Sequence, residues 1–578
     1  MFGEQPEVTS ARNYQNSIRE GTAVSSDESY ETEEIPGEGG SRRDFLKRTG
    51  IVGGVILAGG GALAACGDDD GGTAPSMKAG GLATTIAPGT ESLSVRTWGT
   101  YAGTLDPIEC PSFLEFQTIS PCYEGLIGWK PGTAEPVNLL AETFEASTDG
   151  TEFTFSLKEG ILFQGGYGEV TAADVKFSLE RAAASSAAAK DLGLKSLVGV
   201  EVTGDYSGII RLSAPYGAFV GGSLTRWSGA IVSEAGFNDR GDNFKLRPVL
   251  TGPYEVTEFI PDAGVTLTRF DDYSGAADGL GTVGTFGELN YLVMRDANAA
   301  TIAVESGELS YAMVGGKGAM QFKGDPGMRI DASPLMGWDL LGMNVNHAAL
   351  QDVNLRMAVR WALDPQEIVD GSVEGLNEVT SNLIPEWMPG HWKDAPVYTR
   401  DVAKAKEYFA AAGSPSDELG IMAISAAPHK AAAEIIAAQL QEVGINAVVN
   451  IGESPDAQAW RRQNPASADS AFHFTTGIYL VADPSGPTEP YHGSRLGGST
   501  VCFCDFAEYN RIWDEAAVEA DNTKRMGMYS DLEQMFNEEL MPAAILDKPT
   551  HWYAGVKTVN PVFSPLGFGL YHFFTGSA

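Results

Sequence analysis

Cys66 ends the run Leu63-Ala64-Ala65-Cys66, a lipoprotein cleavage box whose thiol is the atom that takes up lipid once cysteine becomes the new N-terminus. Upstream, Arg42 and Arg43 sit in Ser-Arg-Arg-Asp-Phe-Leu-Lys, a twin-arginine export signal. Between them residues 51–65 form a Gly-rich apolar run of 15, the length of a signal h-region. A membrane span needs roughly 20 such residues. An uncleaved signal anchor with an incidental cysteine is the competing reading, and the order of the three elements disfavours it. The chain is therefore expected outside the cytoplasm, periplasmic or on the outer face of the cell membrane. One acyl chain binds only marginally, so Cys66 is expected to carry more than one.

Beyond the signal, residues arranged for bond chemistry are missing. The chain has no Gly-x-Ser-x-Gly, no His-Glu-x-x-His, no Gly-x-x-x-x-Gly-Lys and no Cys-x-x-Cys. Its seven histidines are dispersed, without an i, i+4 pair, so no metal or cofactor site is expected. Cys110, Cys122, Cys502 and Cys504 permit two disulfides in three connectivities, or four buried thiols; zinc is disfavoured because Cys502-Phe-Cys504 lacks a second ligand pair. Aromatic residues beside turn residues stand out instead: Trp98, Tyr101, Trp129, Trp227, Trp338, Trp387 and Trp392. Such side chains commonly line concave binding sites.

The elements that must position them follow from composition and periodicity. Residues 1–40 are acidic and Ser/Glu/Gly-rich, a disordered extension discarded with the signal at 41–65. Residues 66–90 have linker composition and a reach of roughly 25 Å. The formal charge is −37 overall; the first 65 residues hold 10 acids and 6 bases, leaving about −33 on the remaining 513 residues. That charge argues against nucleic acid and anionic lipid as partners and mildly favours cationic or zwitterionic ligands. Alternation predicts strands over 153–157 and 265–269, and Thr171 with Asp174 predicts a capped helix start. Helices ending at Gly413 and Gly444, the second followed by a strand over 445–451, complete an α/β pattern of two or three lobes.

Several segments together resemble one family. Leu139-Leu-Ala-Glu-Thr-Phe-Glu and Val170-Thr-Ala-Ala-Asp-Val-Lys-Phe-Ser-Leu-Glu-Arg are similar to the signature of the solute-binding family 5 lipoproteins, the dipeptide, oligopeptide and nickel receptors of ABC importers. Leu105-Asp-Pro, Tyr123-Glu-Gly-Leu, Thr251-Gly-Pro-Tyr, Met343-Asn and Asp352-Val-Asn-Leu-Arg follow in family order, with Leu440-Gln-Glu-Val-Gly and the segment from Arg525 to Tyr529 after them. The resemblance runs from about Val95 to the C-terminus. It implies a two-lobed, periplasmic-binding-protein-like type II fold with an extra subdomain in lobe I. Lobe I would be 91–336 plus 543–578, lobe II 337–542, with hinge crossings near Met336 and Ala543.

The implied function is capture, without catalysis, of a peptide or similar small, amine-bearing solute for an ABC permease, by a monomer. An exported hydrolase and a non-transport receptor are the alternatives. Peptide-binding relatives carry an Ala-Asp-x-x-x-Pro-Thr segment whose Asp pairs with the ligand's α-ammonium; Ala482, Asp483, Pro487 and Thr488 match it. An Asp-Pro turn is the other reading of Asp483. As a ligand residue Asp483 is expected to be replaceable by Asn with little change in melting temperature. The arginine that dipeptide-binding relatives place between the equivalent strand and helix is replaced here by Ser425-Ala-Ala-Pro-His429-Lys430. That change puts ordinary dipeptide capture in doubt and leaves His429 or Lys430 as substitutes, or a carboxylate left unanchored as for longer peptides. Ligand contacts are thus expected at Asp483, His429, Trp98, Tyr101, Trp338, Trp387 and Trp392.

Overall fold

The computed structural model describes residues 92–110, 113–130, 135–185, 192–273, 286–453, 456, 459–460, 471–479, 481–496, 500, 502–563 and 570–575. The export signal with Arg42 and Arg43, the lipidation site Cys66, the extension and the linker lie outside the described residues.

Two sheets organise the described chain. The first runs in the order Met328–Pro334, Thr550–Val556, Tyr311–Met313, Ser92–Thr97, Glu288–Val293, Gly264–Arg269, Tyr254–Ile260. Its centre is parallel: Val95 stands opposite both Tyr291 and Tyr311. Leu93, Val95, Tyr291 and Tyr311 bury one face, while Leu292 and Ala312 meet the helix Ala297–Ser306 on the other. That helix begins where Asp296 accepts the Ala299 amide at 2.7 Å and stops at Gly307, whose φ of 79° fits a residue without Cβ.

A four-stranded antiparallel sheet (Ala141–Ala146, Glu152–Leu157, Ser207–Leu212, Leu197–Gly204) stands apart in the same half of the chain. Phe153, Phe155 and Leu157 point inward, as the alternation predicts. The helix Ala172–Ala184 packs on it and opens with the expected capping box, the Thr171 amide donating to Asp174 at 3.0 Å.

The second sheet has the order Glu378–Val379, Ala543–Lys548, Gly337–Met343, Phe472–Ile478, Leu419–Ile424, Ala447–Gly452. Leu419–Ile424 and Ala447–Gly452 are parallel neighbours joined by the helix Ala427–Val443, a strand-helix-strand crossover capped by Gly444 at φ 108°. Leu341 and Met343 face one core; Trp338 and Leu340 face another, covered by the helices Ala507–Val518 and Asn522–Met535.

The chain passes between the two sheets at Leu335–Met336 and again at Pro549, and the Leu335 amide donates to the Pro549 carbonyl at 2.8 Å. This corrects the expected return at Ala543. Ala543–Lys548 pairs antiparallel with Gly337–Met343 inside the second sheet, because its apolar residues Ala544 and Leu546 complete that lobe's core. Among the described residues Cys110, Cys122, Cys502 and Cys504 are buried free thiols, with burial raising the pKa of Cys110, Cys122 and Cys504.

Beside the crossings, Asp339 and Asp547 stand opposite each other across the two strands. Thr476 Oγ1 donates to Asp339 at 2.5 Å and Asn377 Nδ2 to Asp547 at 2.7 Å. Burial raises both carboxyls above the usual range, and Asp339 pushes Asp547 further. A raised carboxyl holds a proton in the fold that the unfolded chain releases above its ordinary pKa of about 4. Its stabilising contribution is present below that pH and lost as pH rises. The melting temperature should therefore fall from pH 5 to pH 9, and Asp547→Asn should flatten the decline in a pH series of thermal melts; an unchanged slope would contradict proton retention by the raised carboxyls.

Candidate functional site

Arg96 fixes the end of the first sheet's central strand. Its guanidinium donates to the carbonyls of Met294 at 2.7 Å, Met313 at 2.5 Å and Arg295 at 2.7 Å, tying its strand to two other chain segments and occupying its donors. Trp98, two residues on, is 42% exposed and lines a pocket with Gln117, Tyr291, Tyr311, His551 and Tyr553. Tyr311 and Tyr553 stack with centroids 5.7 Å apart, and the Tyr311 hydroxyl donates to Asp331 at 2.7 Å. Burial pushes the His551 imidazole down to about 4, so it is neutral near pH 7. The pocket wall is largely aromatic, with the Arg96 guanidinium behind it bonded to three backbone carbonyls. It lies at carboxyl ends of parallel strands, where open α/β sheets place their ligands, and His551 sits two residues past the Pro549 crossing.

Tyr101 does not join this wall. It is 5% exposed, its hydroxyl bonds Thr118 at 2.8 Å and its ring meets Phe259 edge-on. Trp338 is likewise 2% exposed, donating its indole N–H to Leu383 at 3.0 Å within the second lobe's core. The expectation of ligand contact at both residues is corrected. Each has spent its polar atom on the protein's own packing.

On the second lobe, Asp483 begins an Asp-Pro turn of the kind its sequence allows. Its Oδ1 accepts from the Ser485 amide at 3.0 Å and the Ser485 hydroxyl at 2.7 Å. A third partner was not foreseen: Arg525 Nη2 donates to the same oxygen at 2.5 Å. Burial pulls the Arg525 pKa down, but the charge and hydrogen bond of Asp483 outweigh it and the net shift is upward. Thr488, which closes the turn, accepts from the Tyr509 hydroxyl at 2.9 Å and from the Trp513 indole at 3.1 Å, so the loop is held from behind.

Glu533 organises the loop that bears the remaining tryptophans. Fully buried, it accepts from the amides of Ile384 at 2.9 Å and Trp392 at 2.7 Å and bonds His391 at 3.1 Å. That hydrogen bond raises the His391 pKa. Trp387 is left 53% exposed and Trp392 partly exposed. His429, in the first turn of the helix Ala427–Val443, lies 3.3 Å from Thr476 Oγ1, which itself donates to Asp339. Arg525, His551, Asp339 and Asp547 escaped the sequence reading as site residues. Only Arg525 left a trace there, within a segment similar to the family's.

The profile of the bacterial extracellular solute-binding proteins, family 5 Middle, matches residues 135–495. The dipeptide-binding protein of Escherichia coli K12 is 24% identical over 77% of this chain and 87% of that protein. The glutathione-binding protein GsiB of Salmonella paratyphi A is 26% identical over 60% of this chain and 66% of its own length. In structure, the periplasmic binding protein DppA of Helicobacter pylori in complex with the peptide STSA superposes with a TM-score of 0.69 at 19% identity, covering 85% of this chain and 99% of that one. That likeness is one of fold: two-lobed, mixed α/β.

The buried Asp483–Arg525 pair overturns the expectation that Asp483 is dispensable for the fold. Removing one partner of a buried pair strands the other charge. Asp483→Asn should lower stability by about 3 kcal/mol, read by urea or thermal unfolding. An unshifted midpoint would mean the pair contributes nothing to the native state.

Proposed function

The chain belongs to the bacterial extracellular solute-binding proteins, family 5, and from that premise we propose that it is the lipid-anchored capture component of an ABC importer for peptides or similar small, amine-bearing solutes. The solute lies between the lobes, against the aromatic wall around Trp98 on one side and the Asp483 loop with Trp387 and Trp392 on the other. Two crossings joined by one backbone hydrogen bond suit a hinge, and a solute that touches both lobes only when they close shifts that equilibrium by its differential affinity. A monomer in the closed form then engages the membrane permease.

The observation that carries the amine preference is the bonding of Asp483. Among the described residues the protein's own donors all reach Oδ1. Oδ2 is left to accept a charge-assisted bond from an ammonium group. Mass spectrometry of small molecules released from protein purified from its native host identifies the solute. Acetylating the amine of that solute should weaken binding roughly thirtyfold by calorimetry, about 2 kcal/mol for one lost partner of a charge pair. Equal affinity for the free and acetylated forms would remove the amine anchor while leaving capture itself intact.

The anchoring rests on residues 41–66. Lys in place of both Arg42 and Arg43 should leave precursor in the cytoplasm, and Cys66→Ala should abolish lipid labelling. Normal export of the double variant, or persistent labelling of the second, would move the signal elsewhere.

A further inference from the structure

Residues 216–222, beside the four-stranded antiparallel sheet, touch the second lobe at three points. The Gly217 amide donates to the Ala517 carbonyl at 3.0 Å. The Tyr216 ring packs against the core that contains Trp338 and Tyr529. Gly222 approaches Val481 so closely that a Cβ on it would lie 2.9 Å from Val481 Cγ1. The tightest approach is at Gly217, where a Cβ would stand 2.1 Å from Arg525 Nε and 2.6 Å from Cζ. Glycine is needed there for space alone, since the guanidinium lies against its backbone.

Arg525 is 3% exposed, and its Nε is buried without a hydrogen-bond partner among the described residues. A buried orphan donor is unfavourable. It is tolerated here because the plane of the guanidinium packs on Gly217 while Nη2 is held by Asp483. Drawing the lobes apart would return Nε to water and forfeit the Gly217–Ala517 bond. Two opposing contributions sit at one contact, which is what a reversible catch requires.

We propose that Arg525, oriented by Asp483 and seated on Gly217, is an interlobe latch that sets how readily the lobes close. This rests on the two-lobed capture reading and adds a second role for Asp483: it positions the latch as well as facing the solute. Arg525 is thereby a positioning residue, and the latch works whatever solute is bound.

The test uses the solute-free full chain, with hydrogen exchange at the Gly217–Gly222 amides and small-angle scattering as readouts. Gly217→Ala should raise exchange in this segment about tenfold and enlarge the radius of gyration, because the methyl and Nε cannot share the same space. In an Arg525→Ala background, adding Gly217→Ala should change neither readout further. Gly222→Ala should loosen the segment through Val481, and that effect should persist when Arg525 is alanine. It also decides the matter if circular dichroism shows that Gly217→Ala fails to fold. Unchanged exchange and size in both glycine variants, or a Gly217→Ala effect undiminished without Arg525, would overturn the latch. Absence of any amine-bearing solute would defeat the ligand assignment and leave these readouts where they are.

Discussion

Two chain crossings, tied by one hydrogen bond from Leu335 to Pro549, set the terms for everything else in this fold. Each sheet closes its own cores: Val95, Tyr291 and Tyr311 on one side of the crossings, Leu341, Phe472 and Ala544 on the other. Most of the apolar residues of each lobe are buried within that lobe, and a small set of contacts, Tyr216 on the second lobe's core, Gly222 on Val481 and Gly217 on Arg525, joins the two beyond the crossings.

Charge is placed with the same economy. The chain is strongly acidic, yet the pocket at Trp98 presents rings and a neutral imidazole, with Arg96 turned inward onto three carbonyls. On the second lobe the acids are quenched by different means. Asp483 meets Arg525, Glu533 meets two amides and His391, and Asp339 shares its surroundings with Asp547 and retains a proton more readily than a solvated carboxyl. Buried carboxylates demand such partners because an unpaired charge in the interior costs several kcal/mol. What remains for a solute is a small number of lone pairs and exposed rings.

Local rules explain what was legible in the sequence. The capping box at Thr171, the alternation of Phe153, Phe155 and Leu157, and the glycine stop at 444 all depend on neighbours within a turn or a strand. Long-range pairing hides the rest. Nothing near Ala543 announces that its strand enters the second sheet, because an apolar strand reads the same whichever sheet accepts it. Nothing near Asp483 reveals Arg525, 42 residues away, and nothing near Trp338 shows that its indole is spent on Leu383. Exposure cannot be read from residue type: Trp98 and Trp338 both look like cleft residues, and burial separates them.

The turn at residues 425–430 leads from the strand Leu419–Ile424 into the helix Ala427–Val443. An arginine there would offer a fixed, planar charge for a carboxylate. In its place His429 leans on Thr476, Thr476 donates to Asp339, and Asp339 faces Asp547 across the strands. Lys430 lies 3.9 Å from Glu434, one helical turn along and in solvent, where such pairs are weak. The groups behind this turn are thus occupied with one another, Thr476 bridging His429 and the buried Asp339, while Lys430 carries its charge in solvent at the turn's surface.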